Sequence, residues 1–376
     1  MRRCIWMVFI LAFAAHYAET FAQKKPKQPA PANGTSRQKN DAPKNSAASG
    51  VSQAKTAPKP VVELKPGPLL DSAQLSIQVT YTSLEAALPR AEKVYKLRLD
   101  ENNLKTLPAS IGSLVNLQEL ALDRNQLVTL PPEIGKLTNL QVLVLDKNQI
   151  KKLPREIANL RNLQKLYLNN YNQQDESDMA ADAEPGQELR NLWLVVDSLT
   201  NLETLGLGEN KLKTVPTAIG KIKSLRHLYI NNNNISELPE FISTLSNLEQ
   251  LDISNNELQF LPTSIGKLKN LHMLDCRLNS LMKLPTEIGL CTALTEVDFG
   301  FNLLTELPDE IGNLVNLERI NISNNRLATI PATVEKWEKL KKLKMTDNLM
   351  KDDADINAKI LKLLVRNVSV VRDMRR

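Results

Sequence analysis

A stretch of 23 residues repeats along most of this chain, and no other feature so narrows the folds open to it. LQELALDRNQLVTLPPEIGKLTN begins at Leu117, LQVLVLDKNQIKKLPREIANLRN at Leu140, LEQLDISNNELQFLPTSIGKLKN at Leu248 and LTEVDFGFNLLTELPDEIGNLVN at Leu294. All share the frame LxxLxLxxNxLxxLPxxIGxLxN. Further copies start at Val94, Leu202, Leu225, Leu271 and Leu317, which makes nine complete copies.

The frame dictates a local structure. Its LxL alternation turns Leu120 and Leu122 inward and Ala121 outward, as in a short strand. Strands at a fixed period with no room for hairpins must pair parallel, each on the next. The PxxIGxL half has helical spacing, with Ile134 and Leu137 three residues apart, and Pro131 is expected at the first helical position. Each repeat is therefore a strand, a turn, a short helix or 3-10 turn, and a second turn. One coil cannot bury its own apolar face, so neighbours must cover it. The implied fold class is an α/β solenoid with a parallel sheet on one face. The frame asparagine recurs as Asn102, Asn125, Asn148, Asn210, Asn233, Asn256, Asn279, Asn302, Asn325 and Asn348. A polar amide fixed at a strand end is expected to be buried and bonded to turn backbone, a structural role. Cys276 and Cys291 fall on inward positions and are read as small buried hydrophobes.

The frame resembles that of the leucine-rich repeat family over about residues 94–350. The LPxxIGxLxNL half is similar to that of the bacterial secreted and plant intracellular Ras-group-related members. The resemblance implies a curved right-handed horseshoe with the parallel sheet on its concave face, short helices or 3-10 turns on its convex face, and helical caps at both ends. The segment from Tyr81 is similar to the cap that precedes such arrays.

The register breaks once. Between Leu163 and Asn201 stand 39 residues where 23 are expected, a surplus of 16. The surplus falls just after the strand, in YNQQDESDMAADAEPGQE at residues 171–188, and Tyr171 takes the place of the frame asparagine. Both apolar halves of that coil survive, and loop length costs little closure entropy. The acidic insertion lacks the ligand pattern of a calcium loop. Insertions in such arrays tend to decorate the binding side, and the resemblance to plant receptor ectodomains, which carry islands near their ligand sites, points the same way.

The ends have other characters. Residues 1–22 carry two arginines and a short apolar run from Cys4 to Ala15. That run is too short to span a bilayer and fits a signal peptide cleaved after Ala22. An uncleaved membrane anchor is the alternative. Residues 23–70 are rich in Pro, Ala and Lys with no apolar period, the composition of a disordered linker. They carry about +7 of the formal net charge of +6, residues 1–22 carry +1, and residues 71–376 about −2. The folded part is therefore not basic, which argues against a nucleic-acid partner. Loose association of the basic linker with a membrane surface remains an expectation. The domain from 71 to 376 would comprise an N-cap (71–93), repeats (94–350) and a C-cap (351–376), in which Ile356, Ile360, Leu363 and Leu364 share a helical face and Val368–Val371 forms a strand.

Outward strand positions give the candidate binding residues. Val142, Val144, Tyr167, His227 and Tyr229 form an expected apolar-aromatic patch beside the insertion and next to Gly206 and Gly208, of a kind favoured at interfaces. Asp252, Asp275 and Asp298 are expected to be cross-strand neighbours, with Arg277 and Arg319 near enough to neutralise them. His16, His227 and His272 are the three histidines of the chain and share no repeat. No catalytic, phosphate-binding or metal-binding motif is present. The expected protein is a non-enzymatic, exported, monomeric module, secreted or in the cell envelope, that binds a protein or peptide through its concave face without cofactor or metal. The alternatives are a glycan-binding adhesin or scaffold and, less favoured, a catalytic protein.

Overall fold

The computed structural model describes residues 65–150, 152–169, 195–350 and 354–372, all within one compact unit, Val62–Arg376. The expected leader, the linker up to residue 64 and the insertion at 171–188 lie outside these residues.

Thirteen strands form one sheet in chain order, each pairing with the next. They are β1 (Thr80–Tyr81), β2 (Lys96–Arg98), β3 (Glu119–Ala121), β4 (Val142–Val144), β5 (Lys165–Tyr167), β6 (Thr204–Gly206) and β7 (His227–Tyr229), then β8 (Gln250–Asp252), β9 (Met273–Asp275), β10 (Glu296–Asp298), β11 (Arg319–Asn321), β12 (Lys342–Lys344) and β13 (Ser369–Val371). All pairs are parallel, as in Leu120↔Leu143 and Leu251↔Leu274. The central residue of each strand from β2 to β12 turns into the core; it is leucine except for Val297 in β10 and Ile320 in β11, and Leu120, Leu143, Leu166, Leu205, Leu228 and Leu251 are all buried. One apolar cluster runs from Leu84 to Val368.

The return segments are five-residue 3-10 turns, such as Pro132–Lys136 and Thr263–Lys267. Pro131 stands one position before the first helical residue, not at it, with an extended backbone. The reason is the i→i+3 bonding of a 3-10 turn. The Ile134 amide donates to the Pro131 carbonyl at 3.0 Å and the Leu137 amide to Ile134 at 3.1 Å, so the proline supplies the first acceptor. Successive 3-10 turns pack backbone to backbone through the frame glycine. A Cβ on Gly289 would stand 2.3 Å from the Glu310 carbonyl oxygen.

The 39-residue coil keeps the register of the others. Lys165 pairs with Thr204, Leu166 with Leu205 and Tyr167 with Gly206. Val196 and Leu199, from its far half, are buried in the same core. The surplus thus leaves the stack unbroken.

Both ends of the core are covered. At the N-terminal end α1 (Ser72–Ser76) carries a reciprocal capping box, in which Asp71 accepts from the Gln74 amide and Gln74 from the Asp71 amide, and α2 (Leu84–Ala87) buries Leu84 and Ala87. Residues 65–70, placed in the linker by composition, are bonded to the solenoid. Asn116 and Asn139 clasp the Gly67 amide and carbonyl at 2.6 and 2.9 Å. The buried Gln118 amide exchanges two bonds with the Leu70 backbone at 3.0 and 3.1 Å. At the other end α3 (Ala354–Val365) buries Ile356, Ile360 and Leu363, and β13 extends the sheet. Leu364 departs from the expectation and is 49% exposed. Ile356, Ile360 and Leu363 follow a four-three spacing that keeps to one stripe, whereas Leu364 falls past its edge. Among the described residues no helix is long and apolar enough to cross a membrane.

Candidate binding surface on the concave wall

The wall rests on two ladders of asparagines. In the first, the Asn148 amide nitrogen donates to the carbonyls of Leu122, Leu145 and Asp146 at 2.9, 3.0 and 3.3 Å, and its oxygen accepts the Leu127 amide at 3.1 Å. Asn125, Asn233, Asn256, Asn302, Asn325 and Asn348 are buried in equivalent places. Asn279 keeps the same bonds while half-buried. Asn210 spans the long coil to reach the Leu168 carbonyl at 2.8 Å. Asn102 differs, being exposed, with its side-chain amide on the Asp100 carbonyl of its own coil at 3.0 Å. It starts the array, so no full coil stands behind it to be stapled.

The second ladder uses the last asparagine of the frame, at the opposite turn. Asn162 donates to Thr138, Asn247 to Lys223, Asn270 to Ser246 and Asn316 to Thr292, each at 2.8 or 2.9 Å. Across the long coil, Asn201 donates to Arg161 at 2.9 Å. Sequence reasoning assigned these residues no role, although they recur in the frame as plainly as the first set.

On the wall itself Val144, Tyr167, Gly206, Tyr229 and Asp252 are consecutive cross-strand neighbours on β4 to β8. Tyr167 and Tyr229 therefore flank a bare strand position. The Tyr167 ring leans across it, because a Cβ on Gly206 would lie 3.0 Å from Tyr167 Cδ1 and 2.9 Å from Asn169 Nδ2. The Tyr229 hydroxyl donates to Gln250 Oε1 at 2.9 Å, and burial raises its pKa above the usual tyrosine value, helped by the neighbouring Tyr167. His227, one column over, pairs with Thr204 Oγ1 at 3.1 Å through Nδ1. Burial lowers its pKa and Glu249 counters only in part, so the ring is neutral at pH 7. The patch is less open than the strand pattern suggests. Val144 is 7% exposed, while Val142, Tyr167, His227 and Tyr229 are half-buried, because side chains on a concave sheet crowd their neighbours.

Asp252, Asp275 and Asp298 are cross-strand neighbours on β8, β9 and β10. Asp252 and Asp275 are each only 6% exposed. Burial raises the pKa of both, most strongly Asp275, which faces the other two carboxylates. Asp252 accepts from the Ser254 amide and hydroxyl at 3.0 and 2.7 Å. Asp298 accepts from the Gly300 amide at 2.9 Å and from Asn321 at 3.0 and 3.1 Å. Arg277 lies 3.3 Å from Asp275. Arg319 does not join them; it bonds Glu296 at 2.6 Å, its direct neighbour in the first strand column. A fourth carboxylate, Asp146, was missed from sequence. It accepts the Asn169 amide at 2.8 Å, and burial pushes its pKa up to about 6.

Cys276 and Cys291 are buried free thiols, and burial raises both pKa values, that of Cys291 to about 11. A thiol held protonated is a poor nucleophile. Among the described residues no group of three His, Cys, Asp or Glu is placed to hold a metal ion.

A family model described as a leucine-rich repeat region matches residues 87–204 and 202–301, and a second leucine-rich repeat model matches 316–337. Among solved structures, an internalin (InlF) of Listeria monocytogenes is 21% identical, with a TM-score of 0.63, and the match covers 80% of this chain and 81% of that one. The functional domain of InlJ from the same organism is 21% identical, with a TM-score of 0.56, covering 75% of this chain and 55% of that one. A leucine-rich repeat protein of Leptospira interrogans is 27% identical over 78% of this chain and all of its own, with a TM-score of 0.49. Comparison with curated proteins finds no match.

Proposed function

Because the chain belongs to the leucine-rich repeat family, we propose that it is a non-enzymatic module that recognises a protein or peptide through the concave wall. The observation that carries this reading is the Tyr167–Gly206–Tyr229 alignment across β5, β6 and β7. Two half-buried aromatic rings beside Val142 and Val144 offer rigid contact area at low entropic cost, the composition of an interface centre. The rest of the wall provides polar groups around them, as an interface rim does. The 16-residue surplus follows the β5 coil in the sequence, and insertions in repeat arrays tend to decorate the binding side. Export follows from the leader at residues 1–22, and residues 23–64 act as a basic spacer between leader and repeats. The thiols are protonated and His227 is neutral and engaged, so the wall lacks an activated nucleophile–base pair among the described residues.

The test is affinity purification from the envelope fraction of the native host with the full chain and with Tyr167→Ala/Tyr229→Ala as bait. The proposal expects a protein that co-purifies with the native chain and is lost from the double variant. Equal recovery on both would remove the patch from the account.

A further inference from the structure

A rim of the same wall, outside the tyrosines, points to the chemistry of a partner; this inference rests on the reading of the wall as a recognition surface. The first residue of the turn that follows each inward strand pair has a left-handed backbone, with φ between 51° and 60°. Polar residues suit this position, and Asn best of all. Every described member of the column is polar or charged except Leu278 and Phe301. These two sit in adjacent coils, where the Leu278 amide donates to the Gly300 carbonyl at 3.0 Å, and they are 43% and 49% exposed. The fold leaves nearly half of each uncovered. Apolar exposure is concentrated in the same coils. Within the complete repeats, every exposed large apolar side chain among the described residues except Val128 falls between Phe260 and Val315.

The apolar pair borders the carboxylate tract. Leu278 is three residues past Asp275, and Phe301 three past Asp298. Among the described residues, Arg277 is the cation paired with that tract. Asp298, the half-buried end of the tract, is bonded to neutral donors, the Gly300 amide and Asn321, which leaves its charge for a cation to meet. We propose that this rim docks a protein segment that presents an apolar side chain next to Lys or Arg. The apolar group covers Leu278 and Phe301, and the cation reaches Asp298, the half-buried member of the tract. The same carboxylate disfavours an anionic lipid surface or a nucleic-acid backbone, which leaves a cationic protein segment as the occupant.

The experiment uses the full chain and fluorescein-labelled decapeptides of alternating Lys and Leu, Lys and Ser, or Glu and Leu, titrated by fluorescence anisotropy. The Lys–Leu peptide is expected to bind at least about tenfold more tightly than either control. Leu278→Asn/Phe301→Asn lowers its affinity to the Lys–Ser level while the melting temperature holds or rises, because Asn accepts the left-handed backbone more readily. Asp298→Asn weakens binding and flattens its salt dependence. The inference is overturned if the native chain fails to bind the Lys–Leu peptide, if it binds the Glu–Leu peptide as well, or if the double Asn variant binds unchanged. Where the last result coincides with loss in Tyr167→Ala/Tyr229→Ala, the wall stands as a recognition surface and the rim alone is wrong. Binding indifferent to every variant sinks both.

Discussion

A ladder asparagine that donates to three carbonyls and accepts one amide leaves no role for a smaller residue to copy. Asn256 binds the Ile230, Ile253 and Ser254 carbonyls and the Ile235 amide, all between 3.0 and 3.2 Å. Asn256→Ala should cost about 1–3 kcal/mol in urea unfolding, since it orphans buried backbone groups. Asn102→Ala, at the exposed first rung, should cost under about 0.5 kcal/mol. Equal losses at the two positions would contradict the ladder. Asp146 provides a pH test. Its folded pKa, about 6, lies above the ordinary 3.8, because burial penalises the charged form. The stability linked to this group is therefore full below about pH 4 and lost as pH rises through 6. Asp146→Asn keeps an oxygen for the Asn169 amide and removes the charge. It should be more stable than the native chain at pH 7 by on the order of 2 kcal/mol, and the gain should vanish near pH 4; a gain constant over that range would refute the assignment. The ladder positions were legible from the frame alone. Asp146 and the need for Gly206 were not, because one depends on burial and the other on a tyrosine side chain 39 residues away, across a break in the period.

At the scale of elements, the alternation in LxL was enough to place every repeat strand, and the pairing of β5 with β6 shows that the long coil obeys the same rule. The return segments were legible in position but not in type. Ile-Gly-x-Leu spacing fits an α-helix or a 3-10 turn equally, and the close approach of successive coils decides for the tighter one. That approach makes the frame glycine a packing residue. Gly289→Ala would drive a methyl group into the Glu310 carbonyl, so the coils must part. The expected cost is about 1–3 kcal/mol by denaturant unfolding, and a neutral result would mean that the turns are looser than described. Leu364 in α3 marks the limit of period counting, since its side chain lies past the buried stripe and only the cap's docking angle reveals that.

For the whole molecule, each coil is stabilised by its neighbours, and the apolar core is shared from Leu84 to Val368. A shared core leaves two free surfaces, a convex side of 3-10 turns such as Thr263–Lys267 and a concave sheet. The convex side is backbone packed on backbone. The sheet carries the aromatic pair and the carboxylate tract, and the turns that follow its strands carry the apolar rim, all from coils that the period places side by side. The most direct measurement is site-specific photo-crosslinking in the native host. A photoreactive phenylalanine analogue replaces Tyr229 on the concave wall in one strain and the exposed Lys267 on the convex side in another. The account predicts a discrete protein adduct from position 229 and none from 267. Adducts from 267 with none from 229 would contradict it.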